Sequence, residues 1–353
     1  MPVLEGAPPW PLVTVVVPVF NGSRYLGESL DSILGQTYPN LEVLVFDDAS
    51  TDDTPAVIAA YQDRVRCCRQ PQNRGIYDNA NDGIAAAAGE FIAIYHADDV
   101  YKPTMVEREV DFLLHHPEVG AVFCADVFID AEGREYARLQ LPPEVRGGRP
   151  LGFPIVLNAL LKYKNAFLVC PSAMVRASTY REVGTYRQAQ FRNTSDLDMW
   201  LRISRHCAIG VLEEHLLNYR HFHGSSAQRY HHLRTAPERF FEIMDLHLTD
   251  GARAVATPEA VAAFETHRAV DRLKNVISHY ILGQLHEGRT ALKTVDAWLL
   301  GYGFTLRRLQ IFGMFLALQV LCRLPRVSFV ADAFYRRWYV KRPPAVPNLP
   351  PRP

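Results

Sequence analysis

The chain has 353 residues, enough to bury a sizeable core and to hold two domains or one domain with an extension. Its composition is that of a globular protein, 48% hydrophobic and 22% charged. Lys+Arg and Asp+Glu are equal at 38 each, so no overall field favours nucleic acid as a partner. Six cysteines (Cys67, Cys68, Cys124, Cys170, Cys207, Cys322) show no C-x-x-C spacing, which fits a reduced, cytoplasmic setting. The N-terminus lacks a secretory pattern, and no apolar run reaches the roughly 18–20 residues that cross a bilayer.

Along the first 126 residues strands and helices alternate. Thr14 to Val19 is a β-branched run of the kind buried on both faces of a sheet. Asn21-Gly22 makes a turn and Ser23 is placed to cap a helix with Leu26, Leu30, Ile33 and Leu34 on one face. Leu41 to Phe46 is a second strand, Thr54 to Tyr61 a short helix, and Val65 to Arg69 a weaker strand. Asp78 to Ala88 reads as helix, Phe91 to Tyr95 as strand, Lys102 to His115 as helix and Val119 to Ala125 as strand. This rhythm predicts an α/β, Rossmann-like, mostly parallel sheet flanked by helices. After Asp130 it fails. Arg138 to Pro154 reads as loop, Pro171 to Val183 carries further elements, and Ser195 to Ser204 is an amphipathic helix. Gly224 to Arg229 reads as a polar loop. From Tyr230 to about Tyr339 the pattern is helical, and Pro343 to Pro353 is a Pro-rich tail expected to be disordered. The expected division is 1–229, 230–342 and 343–353.

Ligands of parallel sheets bind beyond the carboxyl ends of the strands. There the sequence places Asp47-Asp48 after the second strand and His96-Ala97-Asp98-Asp99 after the fourth. One acidic pair could simply cap a helix. Two pairs on one rim call for a compensating cation, and carboxylates with phosphates suit Mg²⁺ or Mn²⁺. No glycine-rich dinucleotide or phosphate loop follows the first strand.

In order and spacing, TVVVPVFN (14–21), SILGQTY (32–38), EVLVFDDAS (42–50), Asn73-Arg74-Gly75, FIAIYHADD (91–99) and SDLDMWLR (195–202) resemble the signatures of glycosyltransferase family 2, inverting enzymes of the GT-A fold. The resemblance implies a sugar transfer from a nucleoside diphosphate sugar, a UDP-sugar by the family's pattern, to a glycan or lipid-linked acceptor, with Mn²⁺ or Mg²⁺. It implies that Pro18, Phe20 and Asn21 line the donor pocket, that Asp48 accepts a hydrogen bond from the base, and that Asn73 and Arg74 lie along the donor. Asp98 would contact ribose or sugar, Asp99 would hold the metal, and Asp196 would be the catalytic base, with helix N-cap as its competing role. His96 stands where many relatives carry an acid and reads as a harmless substitution rather than a metal ligand. Asp198, Trp200 and Arg202 read as structural. Tyr219, Arg220, His223 and Ser226 resemble the segment that folds over the diphosphate, with His223 a metal ligand or part of a solvated loop. Leu309 to Leu324, flanked by arginines, is expected either to pack internally or to touch a membrane peripherally within 307–342. The alternatives are a nucleotidyltransferase and a catalytically silent nucleotide-sugar-binding module.

Overall fold

The computed structural model describes residues 10–221, 233–295 and 306–336. The described chain forms two compact units, one of 10–157 with 165–220, the other of 158–164 with the residues from 221 onward.

The first unit holds β1 (Val13–Val19), α1 (Leu26–Leu34), β2 (Leu41–Asp47), α2 (Thr54–Ala59), β3 (Arg66–Arg69), α3 (Ile76–Ala86), β4 (Phe91–Ile94) and β5 (Val100–Tyr101). It continues through α4 (Met105–His115), β6 (Val119–Ile129), β7 (Glu135–Arg138), the start of α5 (Phe153–Tyr163), β8 (Ala173–Arg176), α6 (Ala177–Val183), α7 (Gln188–Phe191), α8 (Ser195–His206) and β9 (Ala208–Arg220). One sheet runs β3-β2-β1-β4-β8-β6-β9-β5, with β7 beside β6.

All seven residues of β1 are buried, because helices cover both faces. Val13, Val15, Val17 and Val19 pack with Leu26, Leu30 and Ile33 of α1. On the other face α3 comes so close that a Cβ on Gly83 would lie 2.1 Å from Val16 Cγ1.

β1, β2, β3 and β4 are parallel, as the alternating pattern requires. Beyond them the sheet is mixed: β8 runs antiparallel to β4 and β6, β9 parallel to β6, and β5 antiparallel to β9. β9 has 13 residues, although exposed Glu213 and Glu214 interrupt the apolar pattern by which a strand is recognised in sequence. β6 runs on to Ile129 and carries Asp126 into the sheet. Ser23 does not cap α1: its N–H donates to Asp52 Oδ2 at 3.1 Å, and α1 starts after Tyr25 without a side-chain cap.

The second unit is helical: α9 (Arg239–Thr249), α10 (Pro258–Ile281), α11 (Leu285–Lys293), α12 (Leu306–Leu321) and α13 (Ser328–Tyr335). Its core gathers Leu273, Val276, Ile277, Tyr280, Leu292, Ile311 and Leu318. Among the described residues no helix is long and apolar enough to cross a membrane. The expected loop at 224–229, His223, Ser226 and the 343–353 tail lie outside the described residues.

Candidate active site

Because β2, β1 and β4 are parallel neighbours, their carboxyl ends share one edge. Asp47-Asp48 ends β2, Phe20-Asn21 follows β1, and His96 to Asp99 follow β4. Adjacent strands lie about 4.8 Å apart, so the two acidic ends are separated by roughly 10 Å. Pro18 is buried in β1 opposite Phe46, while Phe20 is half exposed at the rim.

The two carboxylates ending β2 do local work. Asp47 Oδ1 accepts the Ser50 N–H at 2.9 Å, and its Oδ2 lies 3.4 Å from Arg69 Nη1. Asp48 is buried, with Oδ1 accepting the Arg74 N–H at 2.8 Å and Oδ2 the Gly75 N–H at 2.9 Å. It thus ties the Asn73-Arg74-Gly75 loop to the sheet and keeps only its remaining lone pairs for any further contact. Asn73 and Arg74 are exposed, and the Arg74 guanidinium pairs with Asp82. Asn21 adopts a positive φ of 50°, donates its N–H to Ser50 Oγ at 2.9 Å and accepts the Thr51 N–H at 2.8 Å, so it holds the turn after β1.

His96, Asp98 and Asp99 form a tighter group, with one ligand atom from each lying within 4.8 Å of the others. Asp99 Oδ1 accepts the Arg220 N–H at 2.7 Å, whereas its Oδ2 is buried without a hydrogen-bond partner, 3.8 Å from His96 Nδ1. His96 Nε2 is likewise buried and unpartnered. Burial pushes the Asp98 carboxyl up to about 6. Asp99 rises well above the carboxylate range, first through burial and then through the neighbouring Asp98 charge. Burial lowers His96 to about 4, so its imidazole is neutral at pH 7 and keeps a lone pair to give. Orphaned buried oxygen and nitrogen atoms, clustered with a neutral imidazole, fit a divalent cation. His96, a harmless substitution by sequence alone, joins this group in the fold.

Arg220, at the end of β9, is a strut. It is buried, and besides its N–H to Asp99 it donates Nε to the Asp98 carbonyl at 2.8 Å and Nη2 to Glu28 Oε2 at 2.6 Å. Its guanidinium lies 4.5 Å from the Tyr25 ring centroid. The guanidinium thereby ties α1 to the acidic loop, with its charge paired to Glu28.

Asp196 is the second residue of α8, so it is not the N-cap, a place taken by Thr194. Burial raises its carboxyl to about 6, with Tyr77 and Asn165 hydrogen bonds opposing; Asn165 Nδ2 donates to Asp196 Oδ2 at 3.3 Å. Two neighbours connect it with the acidic loop. The Tyr219 phenol is pushed well up by burial and by the charges of Asp99, Asp98, Asp126 and Asp196. The Cys170 thiol is raised by burial, by Asp196 and by Asp99. Asp198, in contrast, is fully buried and ion-paired, 2.9 Å from Arg202 Nε. Trp200 packs edge-on against Phe123 at 4.9 Å.

Sequence reasoning missed Tyr77, Asn165 and Asp126. Tyr77 sits two residues past Gly75 in α3, where a helical aromatic reads as core. Asp126 is fully buried with neither oxygen hydrogen-bonded, and burial raises its carboxyl well above the usual range. An acid inside an apolar β run was the only signal for it.

The sequence profile of Glycosyl transferase family 2 matches residues 14–184. Residues 14–184 are thus similar to a glycosyltransferase family 2 domain. The match ends before Asp196. The chain is 33% identical over 197 residues to EpsE of Bacillus subtilis, covering 54% of this chain and 66% of that protein. It is 29% identical over 216 residues to an uncharacterized glycosyltransferase of Rickettsia prowazekii, covering 60% and 64%. Each alignment thus spans less than two thirds of the relative. The fold resembles S. aureus TarS in complex with UDP (TM-score 0.53, 15% identity, 79% of this chain and 87% of that one). It also resembles the mannosyltransferase PcManGT of Pyrobaculum calidifontis in complex with GDP-Man and Mn²⁺ (TM-score 0.50, 20% identity, 95% and 92%). The α/β unit is of the GT-A fold, with a helical C-terminal region.

Proposed function

We propose that this domain is an inverting, metal-assisted glycosyltransferase that moves a sugar from a nucleoside diphosphate sugar to a glycan or lipid-linked acceptor. The observation that carries the proposal is the cluster of His96, Asp98 and Asp99 at the strand edge that also holds Asp48, with Asp196 acting on the same buried phenol as the acidic loop. Asp99, Asp98 and His96 would hold the cation, which supplies Lewis-acid stabilisation of the departing diphosphate. Phe20, on the exposed rim, and Pro18 would border the base, and Asp48 would read it through a free lone pair. His223 stays a proposed ligand from the sequence alone.

Asp196 takes the proton. An acceptor hydroxyl oxygen forms a bond to the anomeric carbon as the bond from that carbon to the diphosphate oxygen breaks on the opposite face. The hydroxyl proton passes to the Asp196 carboxylate and the electron pair leaves with the nucleoside diphosphate. A carboxyl near 6 is ionised at pH 7 yet more basic than an exposed aspartate, which suits a general base.

The two structural neighbours hold different nucleotides, UDP and GDP-Man, so the fold does not choose the base. The UDP reading rests on Asp48 and the family motif around it. A thermal-shift series of UDP, GDP and CDP with and without Mn²⁺ tests it: UDP with Mn²⁺ should give the largest stabilisation, and a shift that ignores the metal would remove the ligand set. Release of UDP from a UDP-sugar, with and without acceptor, separates a transferase from a silent binding module, and pyrophosphate release from a nucleoside triphosphate would favour the nucleotidyltransferase. A cytoplasmic protein reaching lipid-linked acceptors through peripheral contact at 307–342 completes the proposal.

A further inference from the structure

Helix α12 is apolar all round, an unusual state for a helix with an open side. Its sequence, LRRLQIFGMFLALQVL, has four polar side chains: Arg307, Arg308, Gln310 and Gln319. One face is used: Ile311 and Leu318 are buried in the core of the helical unit with Leu273, Val276 and Tyr280. At 100° per residue, positions 309, 313, 316 and 320 fall within about 60° of one another on the opposite face. Leu309, Leu316 and Val320 are exposed there, Val320 to 58%. The apolar surface continues past the helix with Leu324, Val327 and Phe329, the last exposed to 80%. Single exposed apolar residues need no explanation, but a continuous run of six implies a partner.

Charge selects the partner. Between 306 and 336 stand Arg307, Arg308, Arg323, Arg326 and Arg336 against one acid, Asp332. Arg323, Arg326 and Arg336 are exposed, and the first two donate to main-chain carbonyls, Gln319 and Ile281. A twofold contact through this face would bring each arginine-rich rim against its own copy, which repels. An anionic bilayer neutralises the same rim while its acyl chains receive the leucine stripe. No described helix is long and apolar enough to span, which leaves a helix lying in the interface.

We propose that the exposed face of α12, with Phe329 as an added anchor, docks on an anionic lipid surface. This deepens the lipid-linked-acceptor part of the proposed function and rests on that reading for its use, while the surface itself needs neither donor nor metal. The test is co-sedimentation of the full chain with phosphatidylcholine vesicles, with and without phosphatidylglycerol. Binding should require phosphatidylglycerol and weaken with salt. The pair Leu316→Ser and Val320→Ser should weaken it about tenfold or more, and Arg323→Gln about fivefold. All these side chains are exposed, so the variants should keep the wild-type melting temperature and the UDP-Mn²⁺ shift. Failure of a folded chain to sediment with anionic vesicles would overturn the proposal. So would a concentration-dependent dimer, seen by sedimentation velocity, that the serine pair abolishes, because the face would then belong to a second copy. A lost nucleotide shift with vesicle binding intact would count against the catalytic reading and leave the lipid surface standing.

Discussion

At the level of single residues, the proposed metal group and the proposed base make separable demands. Asp99 has one oxygen occupied by the Arg220 N–H and one buried and unpartnered, so Asp99→Asn keeps the loop tether and removes the charge. It should leave the melting temperature near wild type, lower transfer by about 100-fold or more, and abolish the extra stabilisation that Mn²⁺ gives with UDP. Tyr77 bears on Asp196 through a side-chain hydrogen bond. It is buried and stacked on Tyr186 at 4.8 Å, and its hydrogen bond opposes the rise that burial imposes on the base. The titrating groups around Asp196 are Tyr77 from α3, Cys170 from the turn before β8, and Tyr219 from β9. Tyr77→Phe keeps the stack and deletes the donor, so the Asp196 carboxyl should rise above 6. A base must be ionised to act, so the acid limb of the rate profile should move to higher pH. A bond worth roughly 1 kcal/mol would cost about fivefold below the limb and almost nothing above pH 8. A uniform loss at every pH would instead mark Tyr77 as packing alone.

At the scale of elements, the proposed donor edge and Asp196 are joined by a short mechanical path. Asp48 holds the 73–75 loop by its backbone, and Gly75 leads into α3 with φ 90° and ψ 157°. The first two turns of α3 then meet the segment before α8: Tyr77 N–H donates to Gln188 Oε1 at 3.2 Å, and Asn81 exchanges hydrogen bonds with the backbone of Tyr186 at 2.9 Å. Gly75 is required by its φ of 90°, and a Cβ there would also have to push aside the end of the Gln188 side chain, whose Nε2 would lie 2.0 Å away. Gly75→Ala should cost about 1–3 kcal/mol of stability and raise the donor KM, both read by thermal melts and initial rates. Adding Gln188→Ala should recover part of the loss, since it relieves the clash and leaves the backbone strain. The parallel half of the sheet was legible because its strands are uniformly apolar runs punctuated by acids. β8 and β9 were not, because four residues and a mixed 13-residue segment carry no clear period. The acids at the strand ends could be read by type and place. That Asp48 would be tied up by a loop and that Arg220 would brace the acidic loop depended on contacts 26 to 192 residues apart in sequence, the longest being Arg220 with Glu28.

For the whole molecule, the first unit buries two acids, Glu109 and Asp126, that form no ion pair among the described residues. Glu109 of α4 is fully buried, accepts the Tyr95 hydroxyl at Oε2 (3.1 Å), and has its other oxygen unpartnered. Burial raises its carboxyl well above the ordinary 4.5, and Asp126 behaves likewise from 3.8. The folded chain therefore holds protons there that the unfolded chain releases above about pH 4. With more protons bound in the folded state, stability is full below the unfolded values and falls as pH climbs toward the folded ones, by about 1.4 kcal/mol per unit for each group. Glu109→Gln keeps an acceptor for Tyr95 and cannot ionise. Its melting temperature should match wild type near pH 4 and exceed it increasingly toward pH 8, measured by calorimetry across that range. A constant difference from pH 4 to pH 8 would mean that Glu109 is not held protonated, and that the acids beneath the catalytic edge are stabilised by something other than a bound proton.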